Sequence, residues 1–348
     1  ELAEAEGMDV IHLEIGEPDF NSPANVIGAG SDALRNGYTH YNPSPGFAEL
    51  RDRIAEEVSS TRGISVAGDN VVVTPGGKPI MFFIIMALVD QGDEVLYPNP
   101  GFPIYESMIE FVGGVPVPMQ LHESKGFNLD VDQVAESITE RTKLMIVNSP
   151  NNPTGCAVSN NDLKALLSQT DALVLLDEAY GEFSDHTALD LLPEHPNLVV
   201  LKTFSKAFGA AGIRIGYLIA HPDITQEIVK GKIPFDINLF SYTAAMEIVQ
   251  QKKLIQERID AILAERERLF HALQALNGAR PYPSQANLIL FEVDDPEAVF
   301  NGLVEQGVLI RNVTSYPMLS KALRVSIGTQ KENDCFLTAL EKTLRETP

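Results

Sequence analysis

Four apolar runs in the middle of the chain leave little freedom in how it can fold: LMIV (144–147), ALVLL (172–176), LVVL (198–201) and IGYLIA (215–220). None alternates with polar residues, as a strand exposed on one face would; an unbroken run of this length reads as a strand buried on both faces. Upstream, VVVT (71–74), EVLYPNP (94–100) and VPVPM (115–119) read as further strands, with helical segments at Ile104–Phe111 and Asn161–Leu167. Strands separated by helices predict an α/β fold whose mostly parallel sheet is covered on both faces, with functional residues in loops at the strand ends.

The flanks read in the same way. VIHLEI (10–15) is a short strand ahead of the turn GEPDF, Val26–Arg35 and Glu49–Thr61 are helices, and KPIMFFIIMALV (78–89) is a buried helix. Ser241–Leu276 reads as one long helical region. After it come ANLILFEV (strand), DDPEAVFNGLVEQG (helix), VLIRNV and ALRVSIG (strands), and a closing helix from Glu332. A chain of 348 residues is too long for one small core, so two domains are expected.

A net charge of −22 argues against nucleic acid or an anionic membrane as partner, since both require a basic face. It also means that an anion site must gather cations from a small supply. Two cysteines, Cys156 and Cys335, make no disulfide framework, and no metal-ligand spacing is present, which points to a reducing cytoplasm and no metal. The opening ELAEAEGMDV lacks a signal-peptide core, and the longest apolar stretch, Pro79–Val89, is too short to span a bilayer.

The chemistry centres on LKTFSKAFGAAGIRIGY (201–217), where a buried strand breaks into a loop of small residues and resumes as a second strand. Lys206 stands in that loop with Thr203 and Ser205 before it and Arg214 eight positions after it. An amine can condense with an aldehyde while hydroxyls and a guanidinium hold a phosphate dianion on the same ligand. Pyridoxal 5'-phosphate carries both groups. T-F-S-K-x7-R-x-G resembles the lysine motif of the fold-type I, class I/II aminotransferases. The resemblance covers essentially the whole chain. It implies a large domain holding a mostly parallel sheet flanked by helices and a smaller α+β domain built from both chain ends. The expected boundaries are 1–36 and 277–348 for the small domain and 37–276 for the large one, including the long connecting helix.

Further roles follow from the resemblance. Asp177, which ends the run ALVLL, matches the aspartate that pairs with the pyridine nitrogen, so that the ring can accept electrons from a carbanion. Tyr180 and Asn152, the latter in NSPNNPTG, match donors to the ring 3-oxygen. The turn Gly76-Gly77-Lys78 would wrap the phosphate with backbone N–H groups, completed by Thr203, Ser205 and Arg214, while Phe102 would stack on the ring. Tyr41, in YNPSPG, matches a tyrosine that reaches the neighbouring subunit's phosphate, which implies a homodimer with shared active sites. Arg324 matches the arginine that grips the substrate α-carboxylate, Gly16 offers backbone to the same group, and Arg311 lies thirteen residues before Arg324. Lys206 would be displaced by the substrate amine and then carry a proton between the substrate α-carbon and the cofactor C4′. Lys202 and Lys78 compete for this role: Lys202 shares strand parity with Lys206, so spacing alone does not separate them.

The substrates implied are a small amino donor and a 2-oxo acid. HLEIGEPDF through NSPNNPTG looks like bacterial aspartate and aromatic aminotransferases, whereas LKTFSKAFGAAGIRIGY through LRVSIGT looks like histidinol-phosphate aminotransferases. In the latter an arginine at the position of Arg311 helps hold a substrate phosphate, although their usual N-terminal opening is not recognisable here. The lead expectation is histidinol phosphate with 2-oxoglutarate; aspartate or an aromatic amino acid is the alternative. A decarboxylase of the same fold shares these motifs, and a cofactor-binding regulator would need a basic DNA-binding segment that this acidic chain lacks.

Overall fold

In the computed structural model, which describes Gly7, residues 9–18 and residues 20–346, the apolar runs become strands. In chain order they are β1 (Ile11–His12), β2 (Val71–Thr74), β3 (Glu94–Asn99), β4 (Val115–Gln120), β5 (Thr142–Asn148), β6 (Leu173–Asp177), β7 (Leu198–Thr203), β8 (Gly216–Ala220), β9 (Arg280–Pro281), β10 (Leu288–Glu292), β11 (Val308–Leu309), β12 (Arg311–Asn312) and β13 (Ala322–Ser326). Seven of them form the large sheet in the order β2-β8-β7-β6-β5-β3-β4. Every neighbouring pair from β7 to β4 is parallel; β8 alone runs against both its neighbours.

The unbroken apolar runs have a direct cause. Along β7, Leu198 and Val200 enter the core on one face of the sheet, Val199 and Leu201 the core on the other. Met145 and Val147 are divided from Leu144 and Ile146 in the same way. With side chains alternating between two dry layers, no position from Leu144 to Val147 or from Leu198 to Leu201 has access to water. Helix Lys78–Leu88 covers the second face through Ile80, Met81, Ile84 and Ile85. Its last turn emerges, leaving Met86 and Leu88 exposed, so it is buried over most of its length rather than all of it.

A second core packs against the antiparallel sheet β12-β13-β10-β9 and contains Leu288, Ile289, Phe291, Leu323 and Val325, while Leu290 and Ala322 of the same sheet join the core of the large one. β1 pairs in parallel with β11, tying the two chain ends together. Three expectations need correction. The helical region 241–276 is two helices, Leu239–Ile248 and Lys252–Ala275. Ile248 is buried in the core of the large sheet and Ile255 in the second core, and a single straight helix would have to serve both. The strand at 10–15 is only Ile11–His12, because the carbonyls of Glu14 and Gly16 turn to accept from Arg324 and Asn287 instead of a ladder. VLIRNV splits at Ile310 into β11 and β12, which belong to different sheets.

Candidate active site

The carboxyl ends of β2, β5, β6 and β7 line one edge of the large sheet, and the candidate residues gather there. Asp177 ends β6 in register with Asn148 at the end of β5. Asn148 donates to the Asp177 carbonyl (3.1 Å) and accepts from the Asn152 backbone N–H (2.8 Å), which fixes the start of the 152–155 turn. Asp177 Oδ1 accepts from the Ala179 N–H (3.0 Å), and Oδ2 accepts from the Tyr105 hydroxyl (2.6 Å). Burial raises the Asp177 pKa, against the two hydrogen bonds and the Lys206 charge, which act to lower it. Tyr105 is absent from the sequence-based site: on helix Ile104–Phe111 it reads as a core aromatic, and its only signal was its place three residues after Phe102.

β7 ends at Thr203, and Lys206 stands in the turn beyond it, with Nζ 5.2 Å from the centre of the Tyr180 ring. Lys202 faces elsewhere. It shares a strand face with Leu198 and Val200, and its Nζ sits 3.1 Å from Glu178 and 3.0 Å from Glu182. Burial alone would lower the Lys202 pKa, but the two carboxylates outweigh it and the pKa is raised. A permanently protonated, ion-paired ammonium is no nucleophile. Parity failed to separate the two lysines because the strand stops between them.

The turn after β2 carries the cradle. Gly76 adopts φ +95°, and a Cβ there would lie 2.2 Å from Arg214 Nη2. A Cβ at Gly216 would lie 2.4 Å from the Gly76 carbonyl carbon, so the strand and turn can approach only without side chains. Arg214 donates to the Ala211 carbonyl (2.9 Å) and Ser205 Oγ (3.4 Å), and the Thr203 hydroxyl donates to Ser205 Oγ (3.0 Å). Gly77 caps helix Lys78–Leu88 with no side-chain hydrogen bond; Pro79 has no N–H and the Ile80 N–H is spent on the Gly77 carbonyl (3.1 Å), so the N–H groups open to an anion are those of Gly77 and Lys78. Lys78 Nζ lies 5.2 Å from the Phe102 ring centre, at the same mouth. Uncapped N–H groups, a guanidinium and two hydroxyls fit a phosphate; an amine and a buried carboxylate beside them fit an aldehyde-bearing pyridine.

Across the mouth from the cradle, Arg324 donates to Asn152 Oδ1 (2.5 Å) and to the Glu14 carbonyl. Burial lowers its pKa, and its Nε is buried without a partner among the described residues. Arg311 is its register partner across β12 and β13. Gly16 lies against the Tyr180 hydroxyl, which would be 3.0 Å from a Cβ at that position. The Gly16 carbonyl accepts from Asn287 (3.1 Å), a second residue that the sequence left unmarked. Tyr41 is 83% exposed, its ring stacked on Phe235 at 4.6 Å. Within one chain, then, Lys206, Asp177, Tyr180, Asn152, Arg324 and the cradle converge, while Tyr41 projects outward.

The family model for class I and II aminotransferases matches residues 8–340. The chain is 33% identical to a histidinol-phosphate aminotransferase of Thermoanaerobacter pseudethanolicus, covering 95% of this chain and 92% of that one. It is 36% identical to the histidinol-phosphate aminotransferase of Ruminiclostridium cellulolyticum, covering 95% and 91%. Among solved structures, aspartate aminotransferase from Thermus thermophilus with maleate superposes with a TM-score of 0.86 at 29% identity, covering 99% of this chain and 94% of that one. Alanine aminotransferase from Pyrococcus furiosus gives 0.88 at 25%, covering 99% and 94%.

Proposed function

This chain belongs to the class I and II aminotransferases, pyridoxal-phosphate enzymes of fold type I, and on that footing we propose that it exchanges an amino group between histidinol phosphate and 2-oxoglutarate. The observation that carries the choice of donor is the pairing of Arg311 with Arg324 across β12 and β13. Like charges directly opposite in a sheet repel, and the pair is relieved by an anion with charge enough for both. A phosphate dianion provides that; the single carboxylate of alanine does not.

Bound, pyridoxal phosphate supplies an aldehyde that amines can join and a protonated ring that takes up the electrons of a broken α-C–H bond. The chain's own residues do the rest. Arg214, Ser205, Thr203 and the N–H groups after Gly76 would hold the phosphate, and Asp177 would face the ring nitrogen. Tyr180 and Asn152 would donate to the ring oxygen. Lys206 would take the proton from the substrate α-carbon and deliver it to the cofactor C4′, and Arg324 would hold the acceptor's α-carboxylate in a bidentate fork.

Arg311→Ala is expected to raise KM for histidinol phosphate roughly 10- to 100-fold, the worth of a charge-assisted hydrogen bond, and KM for alanine much less. Equal effects would favour the second reading, an aspartate-type enzyme, which the Thermus thermophilus likeness supports. A donor screen with 2-oxoglutarate as acceptor tests the choice directly: histidinol phosphate should outrun aspartate and phenylalanine, and the reverse order would overturn it.

The same reading makes the protein a homodimer in the cytoplasm, with a small domain from 1–36 and 277–348 set against 37–276. Among the described residues no helix is long and apolar enough to cross a membrane. What supports the division is the β1–β11 pairing and a second core drawn mostly from 277–348, although Tyr180, Phe183 and Ala207 also enter it. Helix Ala24–Arg35 crosses the line, since Val26 enters the large-sheet core and Gly30 packs on Phe240. What supports the dimer is the exposed apolar set Tyr41, Met86, Leu88, Ile233 and Phe235. Mixing inactive Lys206→Ala subunits with impaired Tyr41→Phe subunits should restore activity, because one site in each mixed pair then has both residues. No recovery after subunit exchange would contradict shared sites.

A further inference from the structure

The hydroxyl of Tyr105 has no part in the roles above, yet it makes a short, wholly buried hydrogen bond to the carboxylate at the centre of the site. We infer that Tyr105 is a positioning residue, whose hydroxyl keeps Asp177 ionised and turned so that its remaining lone pairs face the cofactor ring. The inference rests on the reading that Asp177 meets the ring nitrogen.

Asp177 is 5% exposed, and in such surroundings a carboxylate tends to protonate. A neutral acid could not hold a proton on a pyridine nitrogen by charge. The groups facing Asp177 are few. From helix Ile104–Phe111 comes the Tyr105 hydroxyl; from its own turn come the Ala179 N–H and the like charge of Glu178; from the loop after β7 comes Lys206. Tyr105 and Ala179 each occupy one oxygen, and an ionised carboxylate has about four acceptor sites, so room remains for the ring N–H. Burial, then the neighbouring Asp177 charge, raise the Tyr105 pKa, so the phenol stays a donor. Phe102 packs edge-on against Tyr105, with ring centres 6.1 Å apart. One turn of chain therefore presents a ring to the cofactor face and a donor to the carboxylate at its edge.

Tyr105→Phe removes one oxygen and keeps the packing. In cofactor-free protein carrying 13C-labelled aspartate, the Asp177 carboxyl resonance, assigned by its loss in Asp177→Asn, should titrate at least about one pH unit higher in Tyr105→Phe. A hydrogen bond to the charged form lowers a pKa, so its removal must raise it. In the loaded enzyme kcat should fall at least tenfold with KM little changed. Tyr105→His, which keeps a ring and an N–H donor, should recover most of both. An unmoved midpoint, a moved midpoint with unchanged kcat, or a His variant no better than Phe would overturn the inference. Full turnover in Asp177→Asn would instead sink the cofactor reading beneath it.

Discussion

Lys206→Ala is expected to fold as the parent does and to lose about 10⁴-fold in transamination rate, the upper range for a positioned proton-transfer group. The fold should tolerate the change. Among the described residues Lys206 Nζ makes no hydrogen bond or ion pair; it acts on Asp177 only through space and lies 5.2 Å from the Tyr180 ring, a contact worth about 0.5–1 kcal/mol where solvent reaches it. The loss should appear in rate and in the yellow absorbance of the cofactor joined to lysine, while the unfolding midpoint of the cofactor-free protein stays put. A variant retaining more than a tenth of the rate would remove Lys206 from the chemistry.

Lys202→Met is expected to do the opposite. Its ammonium lies between Glu178 and Glu182, and Glu178 is further held by the Thr187 hydroxyl (2.7 Å) and the Ala188 N–H (2.6 Å). Removing the cation strands the buried Glu178 carboxylate and the partly buried Glu182, a loss of about 3–5 kcal/mol from a typical total of about 5–15 kcal/mol. Urea unfolding of the cofactor-free protein reads this directly. Adding Glu178→Gln and Glu182→Gln should restore much of the loss, since no uncompensated charge then remains. A Lys202→Met protein of parental stability would show that the cluster contributes little.

The two lysines also show where the sequence was informative and where it was not. Asp177 was legible only through the resemblance: a carboxylate closing an apolar run usually caps a turn or helix, and it was the lysine loop 29 residues later that matched it to the family aspartate. Lys206 was legible because hydroxyls and an arginine flank it at spacings that suit one ligand. Lys202 was not separable from it, since strand parity carries no information past Thr203, where the strand ends. Tyr105 was invisible for a different reason: a tyrosine on an apolar helix face looks the same whether its hydroxyl meets water or a carboxylate. The sheet's composition could be read from its apolar runs, but not the reversal of β8, which depends on how residues 204–215 return the chain beside β7. The break at 249–251 was hidden as well, because nothing local marks that Ile248 and Ile255 belong to different cores.

The claim beneath all of this is that one amine, at position 206, joins the cofactor. Reducing the pyridoxal-phosphate-loaded protein with borohydride makes that bond permanent, and peptide mass mapping then finds the marked lysine. The mark should fall on the peptide containing Lys206 and survive in Lys202→Met; a mark on Lys202 or Lys78, or no mark on any lysine, would contradict the account.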